Sequence, residues 1–469
     1  MMIYICRSEE RDYPVGQVWL KNGWILTMDG ERRVFQNGDV LIENDRVKAI
    51  GAVDPSVVRA DAEVAELNGK TVMPGLINTH VHTMQQLGRG IADDVDLLTW
   101  LYKRVFPYES CMTEEEAYLS ALACSLELIR SGVTTFAEAG GKEVNGIARA
   151  VQEAGIRAVL CRATMDMPEG LPEPWRESTE QSLAVQEQLF ERWHGQADGR
   201  LRVWFGLRTI FNCSDELIVR TKQLADRHGV GIHMHVAEIP EEIRFVEEQR
   251  GRTTVEHLAH LGVLGPNMLA VHTVWMTDRE IDLFRLHDVK VSHNPAAAMR
   301  VLGFARIPEM LERGITVSIA TDGAPCNNRM DMIDEMLLTA LIHKGRTLTP
   351  TKLPAVQVLE MATVNGARCL GWEDEIGSLE VGKKADLIII NPRSAGVLPV
   401  HDPVSTLVYA MHSSNVESSM CNGQWIMKDR RILTLDEDEI LDCVQDTARA
   451  IVQRAGIELP HPYPVTKVR

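Results

Sequence analysis

Three things are missing or scarce in this chain of 469 residues, and each narrows what it can be. No apolar run approaches the roughly 18 residues of a membrane-spanning helix. No Cys-x-x-Cys pair occurs among the nine cysteines, an odd number scattered from Cys6 to Cys443. That usage is reduced and cytosolic rather than a disulfide framework, and it lacks the P-C-x-x-C zinc signature of the small cytidine-type deaminases. Basic residues are in deficit, 49 Lys and Arg against 66 Asp and Glu, for a net charge of −17. An acidic surface argues against nucleic-acid polymers and anionic membranes as partners, but not against a small nucleotide-like ligand. The opening MMIYICRSEERDYP has charges where a signal peptide needs an apolar core, so a cytoplasmic protein is expected. Residues 1–15 read as a leader with no clear role. Neither an internal repeat nor a low-complexity tract is present.

What is there is an ordinary globular composition, 45% hydrophobic and 25% charged, in a chain long enough for more than one domain. From Val18 the pattern is β: VWLKNGWILTM and GDVLIENDRVKAIG, with Glu43 to Arg46 as a hairpin turn between apolar runs. A short strand, AEVAEL, precedes Asn68-Gly69. The same texture returns far downstream, in a strand ending near Ile390 and two strands around Asn422-Gly423. Neither β segment can bury a good core alone, so one small β-sandwich domain built from both ends of the chain is expected.

Between them apolar strands alternate with amphipathic helical stretches. GVTTFAEA, RAVLCRAT, RVWFGLRT, VGIHMHVAE, MLAVHTV, VKVSHNP and TVSIATDG follow an opening strand at Gly75 to Thr79. Eight strands, most followed by a helix, predict an α/β fold of the (β/α)8 TIM-barrel type. The expected division is 1–73 for the first part of the small domain, 74–372 for the barrel, 373–436 for the second part, and 437–469 for a terminal helix and tail.

In such barrels the chemistry sits at the C-terminal ends of the strands. The first strand ends in His80 and His82, two apart and therefore on one face. The fifth offers His233, His235 and Glu238, the sixth His272, the seventh His293, and the eighth Asp322 before a Gly/Pro/Asn loop. A lone strand-end histidine is usually a hydrogen-bonded structural group, and Asp before Gly is commonly a turn. Five strand ends carrying metal-ligand types at one end of a barrel are explained most simply by convergence on one cation. Imidazoles with a carboxylate suit zinc, with iron the alternative. The fourth strand has no lysine that could become a carbamate bridge between two metals, so one ion is expected.

The pattern resembles the amidohydrolase superfamily over nearly the whole chain. The resemblance is carried by MPGLINTHVHT, the H-x-x-E of strand five, the strand-six histidine, S-H-N-P, T-D-G and the closing EIGSLEVGKKADLIII. Within it the chain looks most like the branch of S-adenosylhomocysteine/methylthioadenosine deaminases, guanine and oxoguanine deaminases, and triazine hydrolases such as atrazine chlorohydrolase. By that resemblance His80, His82, His235 and Asp322 hold the metal. Glu238, His272 and Asp322 are catalytic: Glu238 protonates the ring nitrogen and the leaving ammonia, Asp322 takes the proton of the water, and His272 steadies the attacking oxygen. His233 reads as support behind the ligands or as core, and His293 as either a supporting or a catalytic group. The resemblance also implies a homodimer or homotetramer.

Substrate contacts expected on the same ground are Trp100 as a pocket wall, Glu109 toward ribose hydroxyls, and Arg162 toward a carboxylate, together with Glu238 and His272. Arg176 reads better as a solvated surface group. The chain departs from the adenosine-type pattern at Gly206-Leu-Arg208, where those enzymes carry histidine, and at Ala296-Ala-Ala-Met-Arg300 after S-H-N-P. An arginine at the pocket wall suits a carbonyl or ring nitrogen. The implied activity is metal-dependent hydrolytic deamination of a small aminated heterocycle: an adenosine derivative, a purine or a pterin. One alternative is an s-triazine hydrolase displacing chloride or alkylamine; a remote one is a non-catalytic scaffold.

Overall fold

The computed structural model describes residues 16–459, so the leader read at residues 1–15 lies outside it. The eight strands expected for a barrel are Leu76–Val81, Val133–Glu138, Arg157–Leu160 with Ala163–Thr164, Leu201–Val203 with Phe205–Leu207, Ile232–Val236, Met268–His272, Lys290–His293 and Val317–Ile319. All their pairings are parallel. The third and fourth strands are each broken in two. Their first halves pair with one another beside the second strand, and their second halves pair and continue into the fifth. No ladder joins the eighth strand to the first. Closure there runs through Asp322 N to His80 O at 3.0 Å, Asn78 Nδ2 to Thr321 Oγ1 at 2.8 Å, and Thr79 Oγ1 at 2.7 Å from Ser318 Oγ. Polar side chains thus supplement a single main-chain bond at the seam, all of them buried and paired, as buried polar groups must be.

The small domain is a single sheet of nine strands drawn from both chain ends. The two ends meet where Thr71–Pro74 runs antiparallel to Leu387–Ile390. Its own core, which includes Leu20, Ile25, Val40, Ile42, Val72, Leu387, Ile389 and Met420, is separate from the barrel core. The sheet curls into a sandwich until its turns touch. A Cβ on Gly423, whose φ is +77°, would lie 2.1 Å from Asn44 O, so only glycine fits that corner. Lys428 Nζ reaches Glu63 at 2.7 Å across the same seam. The terminal helix Glu437–Arg454 buries Ile440 and Ile451 and is tied to the helix Glu114–Arg130 by Arg454 to Glu116 at 2.6 Å.

Two stretches differ from a plain loop reading. Residues 97–110, after the first strand, are helical throughout, and the turn Trp100–Val105 is widened to π geometry with Phe106 N bonded to Leu101 O. Pro107 follows at once; it has no N–H to donate, and the preceding turn adjusts. After Pro295 the chain forms Pro295–Ala297 and a second π turn, Ala298–Leu302. Both π turns flank the barrel mouth. Among the described residues no helix is long and apolar enough to cross a membrane, and the eight cysteines are free.

Candidate metal centre and active-site cavity

His80 lies in the first strand and His82 directly follows it; His235 lies in the fifth, His272 closes the sixth, and Asp322 stands three residues past the eighth. The strand ends leave extended geometry abruptly. Ala237, His272, Thr273 and Asp322 all have left-handed φ values, from 51° to 70°. For non-glycine residues this costs about 1–2 kcal/mol each, and such strain persists only where surroundings enforce it. Main-chain bonds enforce it here: Thr273 N to Val236 O and Asp322 N to His80 O, both 3.0 Å. The kinks aim His272 and Asp322 across the mouth toward the first-strand pair.

His80 Nε2 is 3.3 Å and His82 Nε2 3.7 Å from Asp322 Oδ1, and His82 Nε2 is 3.3 Å from His235 Nε2. Three sets of potential ligand atoms, His80/His82/His235, His80/His272/Asp322 and His235/Glu238/His272, each fall within 4.8 Å. His80 Nε2 is fully buried and makes no hydrogen bond. Burial holds the His80 imidazole below its usual pKa and those of His82 and His235 well below it, so the neutral, metal-binding form is favoured at neutral pH. Burial alone would raise Asp322, but the surrounding imidazoles, His80 foremost, outweigh it and keep the carboxyl well below the ordinary range. Three neutral imidazoles with one carboxylate fit a divalent ion.

On the cavity side, His272 Nε2 lies 3.1 Å from Glu238 Oε1 and 3.7 Å from Asp322 Oδ2. Burial lowers the His272 pKa, yet Glu238 and then Asp322 outweigh it and leave it raised. The three groups can hand a proton among themselves while facing one space. That space is walled by Leu97, Trp100, Leu101, Val301 and Leu302, with His82, His235, Glu238, His272, Asp322 and Arg208 at its polar end. Arg208 Nη1 is 2.9 Å from His235 Nε2 and 3.3 Å from His82 Nε2, while its Nε and Nη2 have no partner. Were His235 and His82 to hold a metal ion, their lone pairs would be engaged by it, and the guanidinium of Arg208 would be free to face the cavity.

The other residues singled out in the sequence lie further back. His233 Nε2 is 3.1 Å from His80 Nδ1, behind the first-strand pair. His293 faces His343 at 3.1 Å and does not line the cavity. Glu109 is buried, accepts from Gln85 Nε2 at 2.7 Å and lies outside the lining; burial raises its carboxyl above the ordinary range. Arg162 is buried too, paired with Glu177 at 2.5 Å and stacked on Trp175. Arg176 is exposed and donates to Leu171 O at 3.0 Å. Sequence reasoning passed over Asn294, whose amide is 2.9 Å from His272 Nδ1, although it sits inside the quoted S-H-N-P. It also passed over Cys326, which lines the cavity, and Gln85, which donates to Glu109; neither stands at a strand end or in a spaced motif.

An (α/β) barrel with imidazoles and an aspartate gathered at its mouth defines a metal-dependent hydrolase. The amidohydrolase family model matches residues 71–426, and the chain belongs to that family. It is 39% identical over 444 residues to the 5'-deoxyadenosine deaminase of Methanosarcina barkeri, covering 94% of this chain and all of that one. It is also 39% identical over 434 residues to a 5-methylthioadenosine/S-adenosylhomocysteine deaminase of Syntrophobacter fumaroxidans, covering 92% and 98%. Among solved structures, a zinc-bound adenosine deaminase from Xanthomonas campestris superposes with a TM-score of 0.88 at 26% identity, covering 93% of this chain and 99% of the other.

Proposed function

We propose that the protein is a hydrolytic deaminase of adenosine derivatives, with His80, His82, His235 and Asp322 holding one zinc ion. The observation that carries the reading is the Glu238–His272–Asp322 contact, facing the same cavity as the imidazole cluster, in a chain 39% identical to deaminases over nearly its full length. When bound, the ion supplies a water whose pKa falls from 15.7 toward about 7.

The remaining work falls to side chains. Asp322 accepts one proton from the attacking water as its oxygen bonds to the amino-bearing ring carbon. Glu238 delivers a proton to the adjacent ring nitrogen, which draws electron density away from that carbon. His272 donates to the attacking oxygen through Nε2 and steadies the charge that develops there. Asp322 then returns its proton through Glu238 to the amine, the C–N bond breaks and ammonia leaves; the hydroxyl proton that remains on the former water oxygen passes to Glu238, which restores its acid form and leaves a ring carbonyl. Trp100 and the aliphatic wall exclude water and flank the ring, and Arg208 donates to a ring or sugar acceptor. Glu109 and Arg162, each already hydrogen-bonded outside the lining, brace the walls.

The test is ammonia release from 5'-deoxyadenosine, methylthioadenosine, S-adenosylhomocysteine, guanine, a pterin and an aminotriazine, using protein with its metal content measured. Release from the adenosine derivatives is expected. No ammonia from any of the panel at full metal loading refutes the reading, and chloride release from a chlorotriazine would put the triazine alternative in its place.

A further inference from the structure

Glu238 sits on a turn that has no reason of its own to hold still. Ala237, just before it, has φ of 53°, a left-handed conformation that alanine disfavours. The turn leaves the fifth strand after Val236 and leads into the helix Pro240–Arg250. The two successive N–H groups of this turn meet one side chain. Ala237 N donates to Glu242 Oε1 at 2.8 Å and Glu238 N donates to Glu242 Oε2 at 2.8 Å. On the other side of the same peptide, Ala237 O accepts from Val274 N at 3.0 Å and Trp275 N at 2.9 Å.

Glu242 is itself 2% exposed, lies outside the cavity lining, and occupies the first turn of its helix, where the macrodipole favours a negative charge. The two N–H groups each meet their own oxygen of this one planar group, and among the side chains only the carboxyls of Asp and Glu carry two oxygens on one carbon. Burial first, and Glu238 second, raise the Glu242 pKa to about 7, while the two N–H bonds oppose the rise.

We infer that Glu242 is a positioning residue for the reaction: its carboxylate clamps the Ala237–Glu238 turn and fixes where the Glu238 carboxyl points. This rests on the deaminase reading for the role of Glu238, but the clamp itself does not. In Glu242→Gln one acceptor becomes an NH2 group facing an N–H donor. The turn then loses one bond and gains a repulsion on one side, while Val274 N and Trp275 N still hold Ala237 O on the other, so the left-handed alanine loses one of its restraints. Displacing a proton-transferring group by about 1 Å costs on the order of 100-fold in rate.

Two measurements on the metal-loaded protein test this. In Glu242→Gln, kcat for the best adenosine derivative is expected to fall about 100-fold, with KM and metal content within threefold of wild type. In a Glu238→Gln background the same change is expected to cost nothing further, because its route of action is already gone. Glu242→Asp keeps the charge at the helix start but is one methylene short, and should show the same split if the amide variant does not fold. Independently of any activity, amide hydrogen exchange over residues 237–242 is expected to speed at least tenfold in Glu242→Gln, with the strand 232–236 unchanged. Unchanged exchange at the turn overturns the clamp whether or not the wild type releases ammonia. An unchanged kcat, or an equal further loss in the Glu238→Gln background, overturns the positioning role; a wild type without activity overturns only the deaminase reading.

Discussion

Replacing Asp386 by asparagine should loosen the seat of the small domain on the barrel without touching the chemistry. Arg157 begins the third barrel strand, at the end opposite the site, where a barrel serves stability rather than catalysis. Its Nε and Nη2 bond Asp386 Oδ2 and Oδ1 at 2.9 and 3.2 Å, and both residues are almost fully buried. Asp386 also accepts from Asn422 N at 2.7 Å, and its carbonyl receives Gly75 N at 3.0 Å, at the start of the barrel. The pair therefore sits where four segments meet, those of Gly75, Arg157, Asp386 and Asn422. In Asp386→Asn the guanidinium stays buried against an amide that presents NH2 to at least one existing donor. Removing one partner of a buried ion pair costs about 3–5 kcal/mol. Arg157→Met should cost a similar amount, because it strands the carboxylate. The double variant Arg157→Met/Asp386→Leu removes both charges and should recover most of the loss, since apolar pairs often equal buried ion pairs. Urea unfolding of the four proteins gives the coupling energy, expected above about 2 kcal/mol, and ammonia release at low temperature should be unchanged in all. Single variants that each cost less than about 1 kcal/mol, or a fully additive cycle, would refute the reasoning.

Two further outcomes follow from the same physics. The His343 imidazole is pushed down to about 3 by burial first and Arg346 second, against an ordinary value of 6.5. The unfolded chain therefore binds more protons than the folded one between those values, and the neutral pair with His293 stabilises above about pH 6.5 and is lost as pH falls. At about 1.36 kcal/mol per pH unit the full effect is at most about 5 kcal/mol, so His343→Leu should flatten the fall of the unfolding midpoint between pH 6.5 and 4; an unaltered slope contradicts it. Removing the metal with a chelator should abolish ammonia release and lower the unfolding midpoint, by up to about 4 kcal/mol where zinc stood at 1,000 times its dissociation constant. Zinc should restore both, and a midpoint indifferent to chelation would remove the ion from the site.

The parts of this molecule legible in one sequence are those whose chemistry dictates residue type. A divalent ion favours imidazole or carboxylate, and a barrel gathers its chemistry at strand ends, so His80, His82, His235 and Asp322 stand out as candidates by kind and place, and the structure brings their ligand atoms together. Strand alternation and the matching β texture at both ends of the chain disclosed the architecture for a similar reason: burial dictates the pattern. The breaks in the third and fourth strands left no trace, because Cys161 and Trp204 are as apolar as their neighbours and the strand pattern reads on through them in each case. Nor did the π turns, which depend on what packs beside Pro107 and Pro295 rather than on composition.

The supporting residues were hidden for a sharper reason. Glu242 at the start of a helix is what any helix prefers there, so its two bonds to the Glu238 turn cannot be told from ordinary first-turn acidity until the turn is seen. Arg162 and Glu109 illustrate the converse. Both read as substrate contacts by resemblance, and the structure shows each buried with a partner, Glu177 and Gln85, that the sequence does not pair with it. A polar residue's type reports what it can bind; which of its possible partners it actually meets is settled by burial, because a charge or amide taken out of water must satisfy itself with whatever lies nearest. By that argument the arginine or glutamate to test first for substrate preference is the one with buried donors left over: on the cavity wall Arg208 spends Nη1 on His235 and His82 but keeps Nε and Nη2 without a partner.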